Sequence, residues 1–450
     1  MIDHTFVNTA EESRINNKAR SKVAIIGAGA AGLTAAYLLQ RKHHVTIFEK
    51  ESRLGGHAHT ILVEQGVDVG TPLDVGFMVL NNRNYPTLHK LLSQLNVCEI
   101  PDSEMSFSYY SETSNIQYAI NWSHTNQFSK RTNLQSSPLE PQPYNATLLN
   151  LLKEILIFCN QARKDLLEDN FWELTLGNYL QSKKYSPALI DSYVIPMGAA
   201  IWSSTPQKIF DFPAKTFLYF FDNHGMLSLR EGPKWQYIKG GSQTYVKEIC
   251  KNFTGKVEVN SPIESISRLD DSVIIRPKNN KEQKFDYVII AAHADEALSL
   301  LADPSVDERR FLGAWKYQVN DGILHTDESA MPPDKTAWAS WNYINEAGVD
   351  DISSFSITYH LNRLQGHENT QKQYFLSLNR HKPIAEEFIL RKMKFTHPTY
   401  NFESFSTQKE LAALNGAKRT YFCGSYFGFG FHEDAVKSGV EVARAFGVEL

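Results

Sequence analysis

The stretch Val23-Ala24-Ile25-Ile26-Gly27-Ala28-Gly29-Ala30-Ala31-Gly32 decides the fold of this 450-residue chain. Its apolar, β-branched start predicts a buried strand that ends on Gly-x-Gly-x-x-Gly. The helix-forming run Leu33-Thr34-Ala35-Ala36-Tyr37-Leu38-Leu39 follows at once. A second apolar strand, Val45-Thr46-Ile47-Phe48, then delivers Glu49. Strand, glycine turn, helix, strand and acid in this order form the dinucleotide-binding βαβ fingerprint. Gly27 permits the tight turn, Gly29 lets backbone approach a pyrophosphate, and Gly32 lets the helix pack closely on the strand. Ala30 and Ala31 open the helix, whose unpaired N–H groups and positive dipole end suit phosphates. Glu49 follows the first glycine by about 20 residues, where a carboxylate accepts hydrogen bonds from an adenosine ribose and repels a 2′-phosphate. A secretory signal is the rival reading, since Lys18, Arg20 and Lys22 precede an apolar run. Three glycines at functional spacing and the acid-tipped second strand argue against it, and no small-residue cleavage site follows.

Beyond Glu49 the chain reads Lys50-Glu51-Ser52-Arg53-Leu54-Gly55-Gly56-His57. The glycine pair Gly55-Gly56 lets the chain fold back over the phosphates, with Lys50 and Arg53 as cofactor-binding cations. Asp74-Val75-Gly76-Phe77 predicts another close backbone approach. This segment resembles the FAD-binding half of the flavin amine oxidase superfamily, which includes monoamine and polyamine oxidases, protoporphyrinogen oxidase and phytoene desaturases. The superfamily carries Arg-x-Gly-Gly-Arg here, and this chain has His57 at the last position. Ile238-Lys239-Gly240-Gly241-Ser242-Gln243-Thr244-Tyr245-Val246 is similar to the superfamily's Gly-Gly turn into a helix. The run Val257-Glu258-Val259-Asn260-Ser261-Pro262-Ile263 resembles the strand that meets the adenine, with Ile263 at the cofactor. Tyr287-Val288-Ile289-Ile290-Ala291-Ala292-His293 and Thr420-Tyr421-Phe422-Cys423-Gly424-Ser425 predict two more buried strands. Relatives often have Ala-Gly-Asp or Ala-Gly-Glu where this chain has Cys423-Gly424-Ser425. Ser425 therefore offers the ribityl chain only a neutral hydroxyl. A helix beginning near His432, Glu433 and Asp434 would set backbone N–H groups against the reducible end of the flavin.

Residues 22–448 show a closer resemblance, to bacterial FAD-dependent oxidoreductases associated with cyclopropane-fatty-acid synthase genes. It rests on Gly55-Gly56-His57-Ala58-His59-Thr60, Pro196-Met197-Gly198-Ala199-Ala200-Ile201-Trp202, Phe220-Phe221-Asp222-Asn223-His224-Gly225, Trp338-Ala339-Ser340-Trp341-Asn342-Tyr343, and the run from Cys423 to Asp434. This resemblance implies oxidation of modified fatty acyl chains. It implies a lipid methyltransferase as a possible partner. No histidine or cysteine is positioned for the covalent flavin linkage of monoamine oxidases, so the FAD is expected to be noncovalent.

Composition sets further bounds. A 42% hydrophobic and 21% charged chain is a globular protein with ample core. A net charge of −4 argues against nucleic acid as a partner. Cys98, Cys159, Cys250 and Cys423 show no Cys-x-x-Cys spacing, so neither a disulfide framework nor a metal site is expected. Reduced thiols point to the cytoplasm. No run outside the fingerprint approaches a membrane span.

The expected architecture is α/β: a Rossmann-like FAD-binding domain with a parallel sheet, carrying an inserted α+β substrate domain as in amine oxidases and protoporphyrinogen oxidase. Residues 1–20 read as a disordered lead. Residues 21–80, 235–300 and 415–450 assemble the FAD domain, and residues 81–234 and 301–414 the substrate domain. Residues 81–234 look largely helical, with a broad apolar face at 148–158 and a polar surface loop at 123–143. Phe355-Ser356-Ile357-Thr358-Tyr359-His360-Leu361 reads as a period-two strand. In the Trp338–Tyr343 run, alternation puts Ala339, Trp341 and Tyr343 on one face and Trp338, Ser340 and Asn342 on the other.

His57, His224 and His432 are the candidate catalytic residues. His57 either caps the pyrophosphate or moves a proton at the flavin. His224 is either catalytic or a turn histidine, and His432 contacts the flavin edge by backbone or side chain. Glu433 is a cofactor-binding candidate whose alternative, shared with Asp434, is to favour the helix dipole as a first-turn acid. The aromatic run at 209–221 builds core or lines a tunnel for an apolar chain. Lys234 precedes the Gly-Gly turn, near where amine oxidases place a lysine by the flavin. The leading expectation is an FAD-dependent oxidoreductase that acts on a modified acyl chain and touches membrane surfaces transiently. The alternatives are an amine oxidase, carotenoid desaturase or protoporphyrinogen oxidase relative, and a non-catalytic flavoprotein partner of a lipid methyltransferase.

Overall fold

A computed structural model describes residues 20–114, 116–121, 144–168, 173–228, 232–348 and 356–450. The disordered lead (all but Arg20) and the 123–143 loop expected from sequence lie outside the described residues.

Five short strands form a parallel sheet. Lys22–Ile26 lies at its centre, flanked by His44–Phe48 and Tyr287–Ile290, with Lys256–Glu258 and Thr420–Phe422 at the edges. Val23, Ala24, Ile25 and the run Val288–Ile290 are fully buried, because helices and loops cover both faces of the sheet. Helix Ala30–Leu39 packs on one face beside the C-terminal helix His432–Ala445. That contact needs Gly439, where a Cβ would lie 2.4 Å from the carbonyl oxygen of Ala31. The sheet thus gathers strands from three separated parts of the chain, and its strand ends converge on the glycine turn.

A second sheet has seven strands, ordered Ile389–Thr399, Lys316–His325, Phe375–Leu378, Ser356–His360, Trp341–Asn345, Ser106–Ser111 and Ile116–Asn121. It is antiparallel except where Trp341–Asn345 meets Ser106–Ser111. Helices Tyr144–Glu168, Ile195–Trp202 and Ala214–Asn223 lie in the same half of the molecule. Tyr109, Tyr118 and Tyr343 stack across neighbouring strands of this sheet, with ring centroids about 6 Å apart.

Two sequence expectations need correction here, and a third needs an addition. Within the largely helical segment 81–234, Ser106–Ser111 and Ile116–Asn121 pair as a hairpin. Serines in that hairpin are buried with partners, as when the Ser108 hydroxyl donates to Asn342 Oδ1 at 2.7 Å. Alternation fails in Ser356–His360, where every side chain is buried; Thr358 and Ser377 satisfy each other at 2.7 Å. The Trp338–Tyr343 run is not one strand, because Lys335–Ala337 is a 3-10 turn and the strand begins at Trp341. Asn342 causes the corner: its side chain accepts from Ala339 N–H and donates to Ala339 C=O, replacing ladder bonds. Trp338 instead packs with Met331 and Phe375, and its indole donates to Pro332 C=O at 2.8 Å.

All four cysteines are free thiols. Among the described residues no helix is long and apolar enough to cross a membrane, and no group of acids, histidines or cysteines has metal-binding geometry.

Candidate functional site

A cavity of about 800 Å³ runs from the glycine turn to the second sheet. Its wall begins at Gly27 and Gly29. Gly27 has φ +100°, and a Cβ there would lie 2.5 Å from Ala291 O. Gly29 is different: a Cβ would meet no atom within 4 Å, because that side of the residue is open cavity. The first helical bond, Leu33 N–H to Gly29 C=O, is 2.9 Å, so the amides of Ala30 and Ala31 are left to face the cavity end of the helix. Gly32 touches no cavity; its missing Cβ, which would fall 2.0 Å from Gly27 O, lets the helix close on the turn.

Glu49 ends the second strand. Its carboxylate accepts from Ala28 N–H at 2.7 Å and from Glu51 N–H at 2.9 Å, which holds it rigid against the cavity. Gly55 N–H donates to Ala28 C=O at 2.8 Å, and this folds the second glycine pair over the first. A Cβ on Gly56 would stand 3.0 Å from Gly29 Cα. Arg53 lines the same space and has no ion-pair partner within 4 Å among the described residues. Burial lowers its pKa, while Glu49 and Glu51 raise it. A half-buried cation with no carboxylate in ion-pair contact, lining the same cavity as an open glycine and a helix N-terminus, fits a diphosphate.

The other end of the wall is Gly424, Ser425 and the turn Phe429-Gly430-Phe431-His432. Asp434 closes that turn by accepting from Phe429 N–H at 3.0 Å and Phe431 N–H at 2.9 Å. Burial pushes its carboxyl up to about 7 against those two bonds. His432 stacks flat on Phe77, with centroids 3.9 Å apart and planes 7° apart, and its Nε2 meets Tyr245 OH at 2.7 Å. Burial lowers its pKa to about 3, so its ring is neutral. His57 opens into the cavity between these two ends. Its ring is exposed to the cavity, and enclosure by the surrounding walls, followed by His397, His293, His432 and Arg53, lowers its pKa. His397 lies 5.6 Å and His293 6.5 Å from His57, centroid to centroid.

The second sheet and its helices supply the remaining wall: Ile201, Trp202, Phe220, Met226, Trp341, Tyr359, Met393, Phe395 and neighbours. Lys394 is the one charged residue they contribute among the described lining; no carboxylate comes from this half. The indole N–H groups of Trp202 and Trp341 are buried with no hydrogen-bond partner among the described residues.

Of the residues expected from sequence to hold the cofactor, the cavity wall includes Gly27, Gly29, Ala30, Ala31, Glu49, Lys50, Arg53, Gly56, His57, Ile263, Gly424, Ser425 and His432. Lys50 is tied to Glu296 at 2.6 Å. Gly32 and Gly55 serve packing behind the wall. One expectation is overturned, and one of two alternatives is taken. Glu433 does not face the cavity; its buried carboxylate accepts from Thr87 N–H at 2.9 Å and Leu88 N–H at 2.8 Å, capping helix Pro86–Gln94. His224 takes the turn position and not the catalytic one, and it is absent from the cavity wall. It caps the C-terminus of Ala214–Asn223, stacks on Phe220 at 3.8 Å and bonds Phe220 C=O through Nδ1, so Phe220 stands on the wall in its place. Lys234 is exposed and outside the cavity. In the 209–221 aromatic run, Phe212, Phe217 and Phe221 are core, and Phe220 lines the cavity.

Sequence reading missed His397. The signal was the alternation in Ile389–Thr399, which puts Met393, Phe395 and His397 on one face. His293 closes a strand that was recognised, without its role.

Comparison with known proteins places the chain in a family. The model for flavin containing amine oxidoreductases matches residues 30–369. An L-amino-acid oxidase from Siganus canaliculatus is 23% identical over 349 residues, covering 72% of this chain. The chain spans about 60% of the length of that relative. Cyclohexylamine oxidase from Brevibacterium oxydans IH-35A shares the fold at a TM-score of 0.63 and 15% identity, over 95% of this chain and 98% of that one. A CLA-producing fatty acid isomerase from P. acnes shares it at 0.56 and 17% identity, over 94% and 98%. The chain belongs to the flavin containing amine oxidoreductase family and is an FAD-dependent oxidoreductase.

Proposed function

We propose that this enzyme oxidises an apolar substrate, a modified fatty acyl chain being the best fit, with FAD held noncovalently along the cavity from Glu49 to His432. The observation that carries this reading is the uncharged wall beside the second sheet. A diamine brings an ammonium group that needs an acid, and the substrate half contributes none to the described wall. An amino acid brings a carboxylate, and the substrate half offers it only exposed Lys394, which faces Asp321 at 3.7 Å. Trp202, Phe220, Met226, Trp341 and Tyr359 instead suit a hydrocarbon chain. The fatty acid isomerase named above has a lipid substrate on the same fold, which is compatible with this reading.

Bound FAD would supply a two-electron acceptor for a hydride from a C–H bond. The chain's own groups have the remaining tasks. Gly29, Gly56 and the start of helix Ala30–Leu39 would admit the diphosphate, Arg53 would neutralise it, and Glu49 and Ile263 would bound the adenosine end. Ser425 and His432 would hold the flavin end. The aromatic wall would orient the substrate and exclude water. Neutral His57 and His432 would donate or accept hydrogen bonds there and carry no charge.

The test is anaerobic mixing of the oxidised holoenzyme with a panel of acyl phospholipids, free fatty acids, amines and amino acids. Bleaching of the flavin absorbance by acyl lipids, with altered chains found by mass spectrometry, is the expected result. Rapid bleaching by amines or amino acids alone would overturn it and favour the second reading, an amine or amino acid oxidase, which the Siganus relative supports. A lipid substrate also implies transient contact with membrane surfaces, read by liposome co-sedimentation at low salt. Partnership with a lipid methyltransferase belongs to the same proposal and would appear as a stable complex on co-purification.

A further inference from the structure

We infer that Asn320 locks His397 as a fixed, neutral Nε2–H donor on the wall of the flavin site, where it favours the reduced form of the bound cofactor. The inference rests on FAD occupancy and not on the identity of the substrate.

The lock follows from a hydrogen-bond network with only one consistent orientation. Asn320 is fully buried on the strand Lys316–His325. Its side-chain oxygen accepts from Gln318 Nε2 at 3.0 Å and from Asn379 Nδ2 at 2.7 Å. Neither donor can be reversed. The Gln318 oxygen is occupied by Lys208 Nζ at 2.7 Å, and the Asn379 oxygen by Asp321 N–H at 3.0 Å. Asn320 Nδ2 therefore does the donating, to Ser203 C=O at 3.0 Å and to His397 Nδ1 at 2.8 Å. Turning the amide over would set its oxygen against the Ser203 carbonyl oxygen and its NH2 group against two other NH2 groups.

A nitrogen that accepts a hydrogen bond carries no proton. His397 Nδ1 is that nitrogen, so the ring proton sits on Nε2. Charging the ring would put a proton between two donors and break the bond to Asn320. Burial and the nearby His293 ring push the same way, bringing the His397 pKa down to about 4. Nε2 has no partner among the described residues, and His397 lines the cavity. Its neighbours mark which part: its ring is 5.6 Å from His57, and a Cβ on Gly430, in the turn before His432, would stand 3.5 Å from Cγ of the adjoining Pro398.

A preorganised neutral donor binds an acceptor more strongly as electron density on that acceptor rises. For the ring carbonyl oxygens and N1 of a flavin, the acceptors that such an N–H would meet, the electron-rich form is the reduced one. His397 therefore shifts the oxidised–reduced balance toward reduction and needs no proton transfer of its own. Asn320 touches no cavity and is a positioning residue.

The test is the midpoint potential of bound FAD, measured by anaerobic dye-coupled reduction without substrate, in wild type, His397→Phe and His397→Gln. Removing the donor in His397→Phe is expected to shift the balance about tenfold against reduction, about 30 mV for a two-electron couple. His397→Gln, which keeps a neutral N–H near the Nε2 position, should stay close to wild type. An unchanged potential in His397→Phe overturns the inference, as does an equal drop in both variants. Nitrogen-15 NMR of histidine-labelled wild type gives a second reading that needs no variant to fold with FAD. A proton on Nε2 and a bare Nδ1 throughout neutral pH is expected for His397, its signals identified by their loss in His397→Gln or, where that variant does not fold, by selective pairwise labelling. A charged ring or a proton on Nδ1 overturns it.

Discussion

The Asp74 carboxylate accepts both the backbone N–H and the hydroxyl of Ser242, each at 2.7 Å, although 168 residues separate the two in sequence. Thr60 donates to the same carboxylate at 2.6 Å, and the Asp74 backbone exchanges two bonds with the Gln365 side chain. This knot holds the Gly240-Gly241 turn against the glycine pair of the cofactor site and ties both to the second sheet. Burial nevertheless raises the Asp74 carboxyl to about 7 against those hydrogen bonds. Replacing Asp74 by Ala would orphan Ser242 N–H and the Thr60 hydroxyl. It is expected to cost about 2–4 kcal/mol in urea denaturation. Asp74→Asn retains an acceptor for Ser242 N–H and should lose less than half of that.

Glu433 tests the division between cofactor site and scaffold. Its carboxylate caps helix Pro86–Gln94, which has no side-chain cap from its own N-cap residue, Tyr85. Glu433→Ala should lower stability by about 1–2 kcal/mol, because two helical N–H groups lose their acceptor. FAD affinity, measured by flavin fluorescence, should stay within about twofold of wild type, a margin of about 0.4 kcal/mol. A large loss of FAD at unchanged stability would return Glu433 to the cofactor site.

Stability should fall with acid. His325 is fully buried, with Nε2 against Ser377 Oγ at 2.8 Å and Nδ1 accepting from Asp327 N–H at 3.1 Å. Burial lowers its pKa to about 3. The unfolded chain, with an ordinary histidine pKa near 6.5, then binds the proton more readily than the folded one. The stabilisation is full above about pH 6.5 and is lost progressively as pH falls toward 3. Asp74 and Asp434, both raised to about 7, act in the opposite sense. They are best stabilised below the unfolded carboxyl pKa, and their contribution falls as pH rises from about 4 to 7. Comparing wild type with His325→Gln isolates the histidine. The stability gap at pH 7 should narrow by up to about tenfold in the folding equilibrium for each pH unit below about 6. A gap independent of pH would contradict this account of His325.

The parallel sheet and the glycine turn were legible because local chemistry dictates them: β-branched runs, glycines at a fixed spacing, an acid at a strand end. Arg53, Gly56 and Ser425, which the structure puts on the cavity wall, could be picked out for the same reason, being close in sequence to those signals. What failed depended on partners distant along the chain. Glu433 looked like a cofactor acid until helix Pro86–Gln94 was seen to end against it. His224 lies behind Phe220, a relation that an aromatic run cannot express. Ser106–Ser111 was hidden because its polar residues find their partners on Trp341–Asn345, more than two hundred residues later. His397 required the amide of Asn320 on the neighbouring strand before its role could be read.

The central claim is that FAD lies with its diphosphate against Gly29, and Gly29→Ala tests it most directly. The residue has φ −75°, and no atom lies within 4 Å of where a Cβ would stand, so alanine fits the protein alone. Chemical denaturation of the FAD-free variant should agree with wild type within about 0.5 kcal/mol. Its FAD affinity should fall at least tenfold, about 1.4 kcal/mol, because the added methyl occupies space the diphosphate needs. A Gly29→Ala protein that binds FAD as tightly as wild type would contradict the account.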